Sequence, residues 1–258
     1  MLKTILYEQP LNERVRAFIR LEQLFIRTQE YINSNSEPHT RMTMMVLAEI
    51  LELLNRSDLK TDILKELERN QSNLAKLSNS PGVNTNTLNE TLNNLEKSSQ
   101  NIINTQGQLG QVLREQEILK SLVKRNSLVG GICSFDLPIF HHWLNSDVEI
   151  QKNALKELFL SISDIQYAIN LLLGIIRQST LIEDQIAENG FYQQNLNPKH
   201  PYQMIRVILP KNVNYFCEIS AGKHRFSIHF LAITNNQYNN RPKQLMENIP
   251  FQLGCCAV

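Results

Sequence analysis

Hydrophobic residues in the first two-thirds of the chain recur at steps of three and four positions, the spacing of one face of an α-helix. Short polar segments rich in Asn, Ser, Asp and Pro separate these stretches. Asn12 is the candidate cap of the first helix, since its side chain can accept a hydrogen bond from an unpaired N–H of the first turn. The residues that recur at this spacing are Val15, Phe18, Ile19, Phe25 and Ile26; Met42, Met45, Val46, Ile50, Leu53 and Leu54; Leu59, Ile63, Leu64, Leu67, Leu74 and Leu77; and Leu92, Leu95, Ile102 and Ile103.

The two long stretches on either side of Pro81–Gly82 predict an antiparallel helical hairpin. Thr87 and Glu90 have the spacing of a capping box at the start of its second helix. The leucines that repeat along both helices either form the core of the hairpin or meet an identical stripe in a second copy of the chain. The sequence leaves these two alternatives open.

The hydrophobic period changes after Asn189–Gly190, which we interpret as the stop of the last helix. Met204 to Leu209, Tyr215 to Ser220 and Arg225 to Ile233 are rich in β-branched or aromatic residues and are separated by Pro, Gly and Asn. These features predict an antiparallel sheet, with which the β-prone segment Thr4 to Glu8 can pair. The predicted fold class is therefore α+β, with an all-α domain and an antiparallel β domain.

Length and charge support a division into two domains. A chain of 258 residues lies where single cores begin to divide. Residues 189–258 hold seven Lys and Arg against two Glu, a net charge of +5, whereas the preceding residues carry −4. We therefore predict an α-helical domain over residues 12–188 and a β domain built from residues 1–11 and 189–258, with the attraction for an acidic partner in the β domain.

The most distinctive part of the predicted sheet is the strand around Arg225. If the strand begins at Lys223, side-chain alternation places Lys223, Arg225, Ser227 and His229 on one face. Phe226, Ile228 and Phe230 then share the opposite face with His224. A basic face about 20 Å long suits an extended acidic peptide better than a small metabolite. The alternative is an exposed sheet face with ordinary solvating charges.

Composition narrows the class of protein. With 20% charged and 42% hydrophobic residues and a formal net charge of +1, the chain has the composition of a soluble globular protein, and bulk nucleic-acid binding is not expected. Its four cysteines lack the paired spacing of zinc ribbons, which suggests a reducing cytosol. We expect no export leader and no membrane insertion, because the longest apolar run, Leu171 to Ile176, is far too short to span a bilayer.

The segment Gly130 to Leu144 concentrates the residues that invite a chemical interpretation. Asp136 can cap the next helix, and Pro138 fits its first turn. His141 and His142 are adjacent on that helix and point in different directions, which makes them a poor metal chelate. For His141, a structural, a partner-binding and a catalytic role all stay open. No complete nucleophile, metal set or phosphate loop has adequate spacing, so we predict no enzyme activity, no metal and no cofactor.

Five segments of the chain together resemble the ZapD family, bacterial cell-division proteins that bind the tubulin-like FtsZ and bundle its filaments. They occur in the family's order and cover nearly the whole chain, and the block with Cys-Ser-Phe-Asp-Leu-Pro is the most specific of them. The segments are Tyr7 to Glu22, Gly130 to Leu144, Arg177 to Ser179, Asn189 to Gln193 and Gly222 to Phe230.

The resemblance implies an architecture and a function. The α-helical domain is expected to form a homodimer, and the β domain to supply a basic surface for the C-terminal tail of FtsZ. Such a dimer would cross-link and bundle FtsZ filaments in the cytoplasm, at the mid-cell division site. The alternative function is a single-stranded nucleic-acid-binding protein that uses the same basic face.

The resemblance also suggests individual residues for the FtsZ-binding site. Lys223 and Arg225 fall on the family's basic strand motif, and His141 falls on its helix motif. Arg114 and His229 also belong to the predicted site. His229 stands where a second arginine is expected, and Glu117 stands where the family can present an arginine one turn after Arg114. Both changes reduce the positive charge, so other cations such as Arg206 are expected to contribute.

Overall fold

The computed structural model describes residues 4–33, 36–56, 58–78, 81–125, 132–232 and 242–258. Gly130, Gly131 and Ile233, which entered the sequence interpretation, lie outside these ranges. The chain divides into two compact units. One, here called the helical unit, is Ala17–Leu172; the other, the β unit, combines the chain up to Arg16 with Leu173–Val258.

The predicted helices are present, and several begin where a side chain satisfies the first turn. The backbone N–H of Val15 donates to Asn12 Oδ1 at 2.9 Å, which confirms Asn12 as a cap. The described helices are α1 Glu13–Ile32, α2 Glu37–Leu54, α3 Leu59–Ala75, α4 Thr85–Asn104, α5 Gln111–Glu115, α6 Glu117–Arg125, α7 Pro138–Leu144, α8 Val148–Leu160 and α9 Ser163–Gln178.

Two predicted caps are wrong. Asn84, not the Thr87–Glu90 pair, caps α4, because its side chain accepts from the N–H groups of Asn86 and Thr87. Asp136 does not cap α7, which begins after Leu137 at Pro138. The Asp136 carboxylate instead lies 3.4 Å from the guanidinium of Arg125 at the end of α6.

Helix α2 lies at the centre of the helical unit, in contact with α5, α6, α7 and α8. It is buried on more than one side, as its composition of Met, Val, Leu and Ile predicts. Helices α3 and α4 pack together as the predicted antiparallel hairpin, since Lys60 Nζ at the start of α3 donates to Thr105 O at the end of α4. The apolar positions buried along this hairpin include Leu59, Ile63, Leu67, Leu88, Leu95 and Ile102. Much of the leucine stripe is thus buried within one chain.

The described residues of the β unit form two antiparallel sheets. The first has the order β1-β4-β8-β2, and the second has the order β3-β6-β5 with β7 paired to the end of β6. Its strands are β1 Thr4–Pro10, β2 Glu183–Ala187, β3 Phe191–Asn195, β4 Tyr202–Pro210, β5 Tyr215–Ala221, β6 Arg225–Ala232, β7 Lys243–Gln244 and β8 Ile249–Ala257. The N-terminal strand does return to the sheet, with Tyr7 opposite Val207 of β4.

One buried cluster joins the two sheets of the β unit. It takes side chains from β4 and β8 of the first sheet and from β5 and β6 of the second, so the sheets pack face to face. Its largest members are Phe226, Phe230 and Phe251, with the rings of Phe230 and Phe251 5.1 Å apart. The other face of β6 points away from this buried cluster.

Asn189–Gly190 is a strand turn and not the end of a helix. Both residues have positive φ, 51° and 69°, which suits the tight turn from β2 into β3 that the isolated bridge between Glu188 and Phe191 closes. Strand β2 pairs with β8, so it belongs to the β unit together with the end of α9. The charge-based boundary at Asn189 had assigned both segments to the helical part.

Candidate partner-binding site

The β5–β6 turn carries two of the predicted basic residues, Lys223 and Arg225, with a histidine between them. Lys223, His224 and Arg225 are consecutive and exposed. The turn is closed by the N–H of Gly222, which donates to Arg225 O at 2.9 Å. We call the exposed residues Gly222 to Arg225 the cationic turn.

The predicted basic strand face is shorter than expected. Strand β6 begins at Arg225, so Lys223 and His224 lie in the turn and not on opposite faces of a strand. From Arg225 onward the predicted alternation is confirmed, with Phe226, Ile228 and Phe230 buried. The positive charge is therefore concentrated at one end of the sheet instead of along 20 Å of strand.

Cross-strand neighbours define the outer face of β6. Ser227 has Gln193 of β3 on one side and Ser220 of β5 on the other. His229 has Phe191 on one side and the carboxylate residue Glu218 on the other. This face is thus cationic near Arg225, uncharged and polar in the middle, and mixed near His229.

His229 is held in place by its neighbours. Its ring centroid lies 4.8 Å from that of Phe191, and its Nδ1 lies 3.3 Å from Gln244 Oε1. An acidic ligand at this position would meet the Glu218 carboxylate. The end of β6 that carries His229 is therefore less suited to an anion than the cationic turn.

Two pockets adjoin the cationic turn and share Gly222, Lys223 and His224. The first, of about 470 Å³, is lined by Gln193, Arg225 and the hydroxyl-bearing Ser220 and Ser227 in addition to the turn. The second, of about 300 Å³, is lined largely by Leu11, Leu196, Tyr202 and two prolines. Among the described residues, no Asp or Glu lines either pocket. We call them the polar pocket and the apolar pocket.

Arg206 lies in the other sheet of the β unit and is already paired. Its Nε is 3.1 Å from Glu8 Oε1, and the same carboxylate contacts Arg177 at 2.8 Å. Arg206 also donates to Arg177 O. With only 16% of its side chain exposed, Arg206 joins β1, β4 and α9 and does not extend the cationic turn.

Arg114 lies in the helical unit, where backbone and amide oxygens hold its guanidinium. It donates to Leu54 O at 2.6 Å, to Leu109 O at 3.2 Å and to Asn55 Oδ1. Burial lowers the pKa of Arg114 from its ordinary value. Because Leu54 is the last residue of α2, Arg114 satisfies a carbonyl at that helix end. Glu117, on the next helix, lies 3.3 Å from Lys120.

His141 also lies in the helical unit, on the exposed face of α7. It borders a pocket of about 420 Å³ with Arg41, Cys133, Phe135 and Phe140. The Arg41 guanidinium lies over the Phe140 ring at 5.8 Å, a cation–π contact. Of the predicted site residues, the structure brings together Lys223 and Arg225, with His229 farther along the same strand; His141 and Arg114 belong to the other unit.

In the part of the chain that the structure describes, the remaining reactive side chains form no built chemical site. Burial raises the pKa of the Cys217 thiol to about 12 and those of Cys255 and Cys256 to about 11, so these thiols stay protonated and unreactive at neutral pH. Within the described ranges, no group of three or more His, Cys, Asp and Glu side chains is placed to hold a metal ion. In those same ranges, no single helix is long and apolar enough to cross a membrane.

Sequence reasoning missed the polar row Gln193, Ser227 and Ser220 and the apolar pocket. Alternation along each strand gives the face of a residue, but the neighbours across the sheet depend on the pairing register. The apolar pocket joins Leu11 to the segment 196–202, which the sequence does not connect. The two prolines near His200 were the only local signal of a rigid wall there.

Comparison with known proteins shows which family the chain is similar to. The family model described as "ZapD: Cell division protein" matches residues 19–229. The Cell division protein ZapD of Methylococcus capsulatus is 39% identical over 258 residues, all of both chains. Those of Coxiella burnetii and Yersinia pestis are 36% and 32% identical over 255 and 253 residues, 98% or more of each chain.

Proposed function

The chain belongs to the ZapD family of cell division proteins, and we propose that it binds the C-terminal tail of FtsZ at the cationic turn. We further propose that it acts as a homodimer that cross-links FtsZ filaments at the mid-cell division site in the cytoplasm. The observation that carries this proposal is the group Lys223, His224 and Arg225, which is exposed beside two pockets without a carboxylate.

The chemistry of the cationic turn favours an acidic peptide. Arg225 can present a planar, charged fork of donors to a carboxylate, and Lys223 adds a mobile point charge two residues away. Ser220, Ser227 and Gln193 supply uncharged hydrogen-bonding groups in the adjoining polar pocket. A segment that alternates acidic and apolar residues matches this arrangement better than a uniformly charged polymer does.

Two sites on one dimer explain how modest affinity can bundle filaments. A filament presents many identical tails, so the second binding event takes place at a high effective concentration. Cross-linking then requires only that the two turns of a dimer reach tails on different filaments. The helical unit is the proposed dimerisation unit.

The proposal can be tested by fluorescence anisotropy with a labelled FtsZ C-terminal tail peptide. Arg225→Ala and Lys223→Ala should each weaken binding by about tenfold, because each removes a charge-assisted contact. Lys211→Ala is the matched control, since Lys211 is an exposed lysine before the first residue of β5, whereas Lys223 follows the last. Affinities that do not change in Arg225→Ala and Lys223→Ala would overturn the assignment of the site.

A parallel titration with single-stranded DNA addresses the nucleic-acid alternative. A nucleic-acid track needs charge and stacking surface along the sheet. Here Glu218 and a half-buried His229 occupy the far end of the outer face. We expect DNA to bind weakly, and Lys211→Ala and Lys223→Ala to reduce that binding equally. Tight DNA binding that depends on Arg225 alone would favour the nucleic-acid-binding function.

A further inference from the structure

We propose that the apolar pocket is a second subsite of the cationic turn, one that binds an apolar side chain adjacent to an acidic residue of the bound tail. This inference rests on the proposed function and extends it from charge recognition to side-chain specificity. It divides the site into a polar pocket for a carboxylate and an apolar pocket for an aliphatic or aromatic group.

The two pockets border the same turn, which forms a wall of each. Gly222, Lys223 and His224 line both of them. A segment that crosses the turn in extended conformation therefore passes from one pocket to the other. Since successive side chains of an extended segment point to opposite sides, neighbouring acidic and apolar residues can enter different pockets.

Hydrogen bonds fix the walls of the apolar pocket before any ligand binds. The N–H of Leu196 donates to His224 O at 2.8 Å, which ties the loop after β3 to the cationic turn. On the other wall, the N–H of Leu11 donates to Gln203 O at 2.9 Å, and Asn12 Nδ2 donates to Gln203 Oε1 at 2.8 Å. A preformed pocket lowers the conformational entropy that binding would otherwise lose.

The lining of the apolar pocket is consistent with an occupant flanked by negative charge. Leu11, Leu196 and Pro198 provide apolar surface, whereas the polar rim includes Lys223 and two histidines, His200 and His224. None of the described residues that line this pocket carries a carboxylate that would repel an acidic neighbour of the inserted side chain. A cationic segment would gain the same apolar contact, but its positive charge would be repelled by Lys223.

Pro198→Ser is the direct test, with Pro210→Ser as the matched control. Both prolines are exposed, but Pro198 lines the apolar pocket and Pro210 is the last residue of β4. Pro198→Ser should weaken binding of the tail peptide by about threefold to tenfold, because it removes one or two contacting methylene groups. It should leave the slope of log Kd against log salt unchanged, whereas Arg225→Ala should flatten that slope.

Gly222→Leu provides an independent variant that fills space instead of removing contact. A Cβ at Gly222 meets only Arg225 O, at 3.9 Å, so the backbone of the turn can accept it. Gly222 lines both pockets, and a leucine there should weaken binding by more than tenfold. A set of tail peptides, each with one apolar residue replaced by Ala, identifies the inserted side chain. The peptide that lacks this side chain should bind the wild-type chain and the Pro198→Ser variant with equal affinity.

The outcomes separate the subsite from the function on which it rests. If Arg225→Ala weakens binding while Pro198→Ser binds as tightly as Pro210→Ser, the FtsZ-binding proposal stands and the apolar subsite is wrong. If the wild-type chain does not bind the tail peptide, both proposals are wrong. If Pro198→Ser weakens binding and also changes the slope of log Kd against log salt, the pocket acts through charge and the apolar assignment is wrong.

Discussion

Glu8 is the carboxylate that two arginines of the β unit share. Its oxygens lie 2.8 Å from Arg177 and 3.1 Å from Arg206, and only 11% of its side chain is exposed. Because these three charged groups are largely removed from water, each loses hydration that its partners must replace. Glu8, Arg177 and Arg206 therefore stabilise one another, and each depends on the other two. Glu8 therefore holds three segments of the β unit together.

Replacing Glu8 should destabilise the fold more than replacing an exposed carboxylate. Glu8→Ala is expected to lower the free energy of unfolding by about 3 kcal/mol, because it removes the carboxylate that balances two poorly solvated guanidinium groups. Urea denaturation followed by circular dichroism measures this change. Glu13→Ala is the control, since Glu13 is 75% exposed in its pair with Arg16 and should change stability by less than about 1 kcal/mol. Equal effects of the two variants would refute the structural role of Glu8.

The cysteines should differ sharply in reactivity. Cys133 is exposed, whereas burial raises the pKa of Cys217 to about 12 and leaves little nucleophilic thiolate at neutral pH. Iodoacetamide at pH 7.5 should therefore label Cys133 first, and the other three thiols only after unfolding. Peptide mass spectrometry of samples taken over time gives the order. Early labelling of Cys217 would contradict its burial.

Sequence reasoning identified the exposed cations better than the buried ones. Lys223 and Arg225 stand beside a glycine and before an alternating strand, so local pattern was enough to predict a charged surface there. Arg206 and Arg114 look the same in sequence, but their acceptors, Glu8 and Leu54, lie 198 and 60 residues away. Only the tertiary fold shows that these two guanidinium groups are already bound.

At the level of elements, two glycine turns shape the second sheet and tolerate substitution differently. Gly190 has φ of 69°, and a Cβ there would lie 2.3 Å from Leu245 O. Gly222 has open space apart from Arg225 O at 3.9 Å. The turn between β2 and β3 therefore requires glycine at Gly190, whereas the cationic turn does not require it at Gly222.

Alanine substitutions at Gly190 and Gly222 should change the free energy of unfolding by different amounts. Gly190→Ala is expected to lower the free energy of unfolding by about 2 kcal/mol or more, because it combines a left-handed backbone with a clash. Gly222→Ala should stay within about 1 kcal/mol of wild type. Thermal unfolding of both variants under one condition makes the comparison. A stable Gly190→Ala protein would mean that the chain at Leu245, just after β7, can move away from the turn.

The helices were more predictable than the strands for a local reason. A repeat of three and four positions over a long segment, as in α3 and α4, needs no partner to be recognised. The short strands Glu183–Ala187 and Phe191–Asn195 show no clear alternation, and Ile249–Ala257 contains both Pro250 and Gly254. These strands form because β4, β6 and β8 offer paired edges, which a local pattern does not show.

At the level of the whole molecule, we predict a dimer. Light scattering at micromolar concentration should give twice the chain mass of 29.8 kDa. Because much of the leucine stripe of α3 and α4 is buried within the chain, exposed apolar residues of the helical unit, such as Ile103, Leu77 and Ile150, are better candidates for the contact. A mass of one chain at every concentration tested would remove the basis for cross-linking.

Binding of the FtsZ tail should weaken as salt rises. The cations of the turn are exposed, and at physiological ionic strength charges are screened over about 8 Å. Anisotropy titrations at several salt concentrations should show a steady loss of affinity that Arg225→Ala reduces. The apolar pocket predicts that some affinity persists at high salt, so complete loss there would favour charge recognition alone.

The pairing of β1 with β4 also fixes an order of events during synthesis. Glu8 and Arg206 are separated by 198 residues, and the whole helical unit is translated between them. At about 5–20 residues per second, the first strand waits on the order of ten to forty seconds for its neighbour. During this interval the helical unit can fold on local contacts, while β1 emerges from the ribosome without its sheet. The sheet that contains β1 is therefore completed only by strands that are translated after the helical unit.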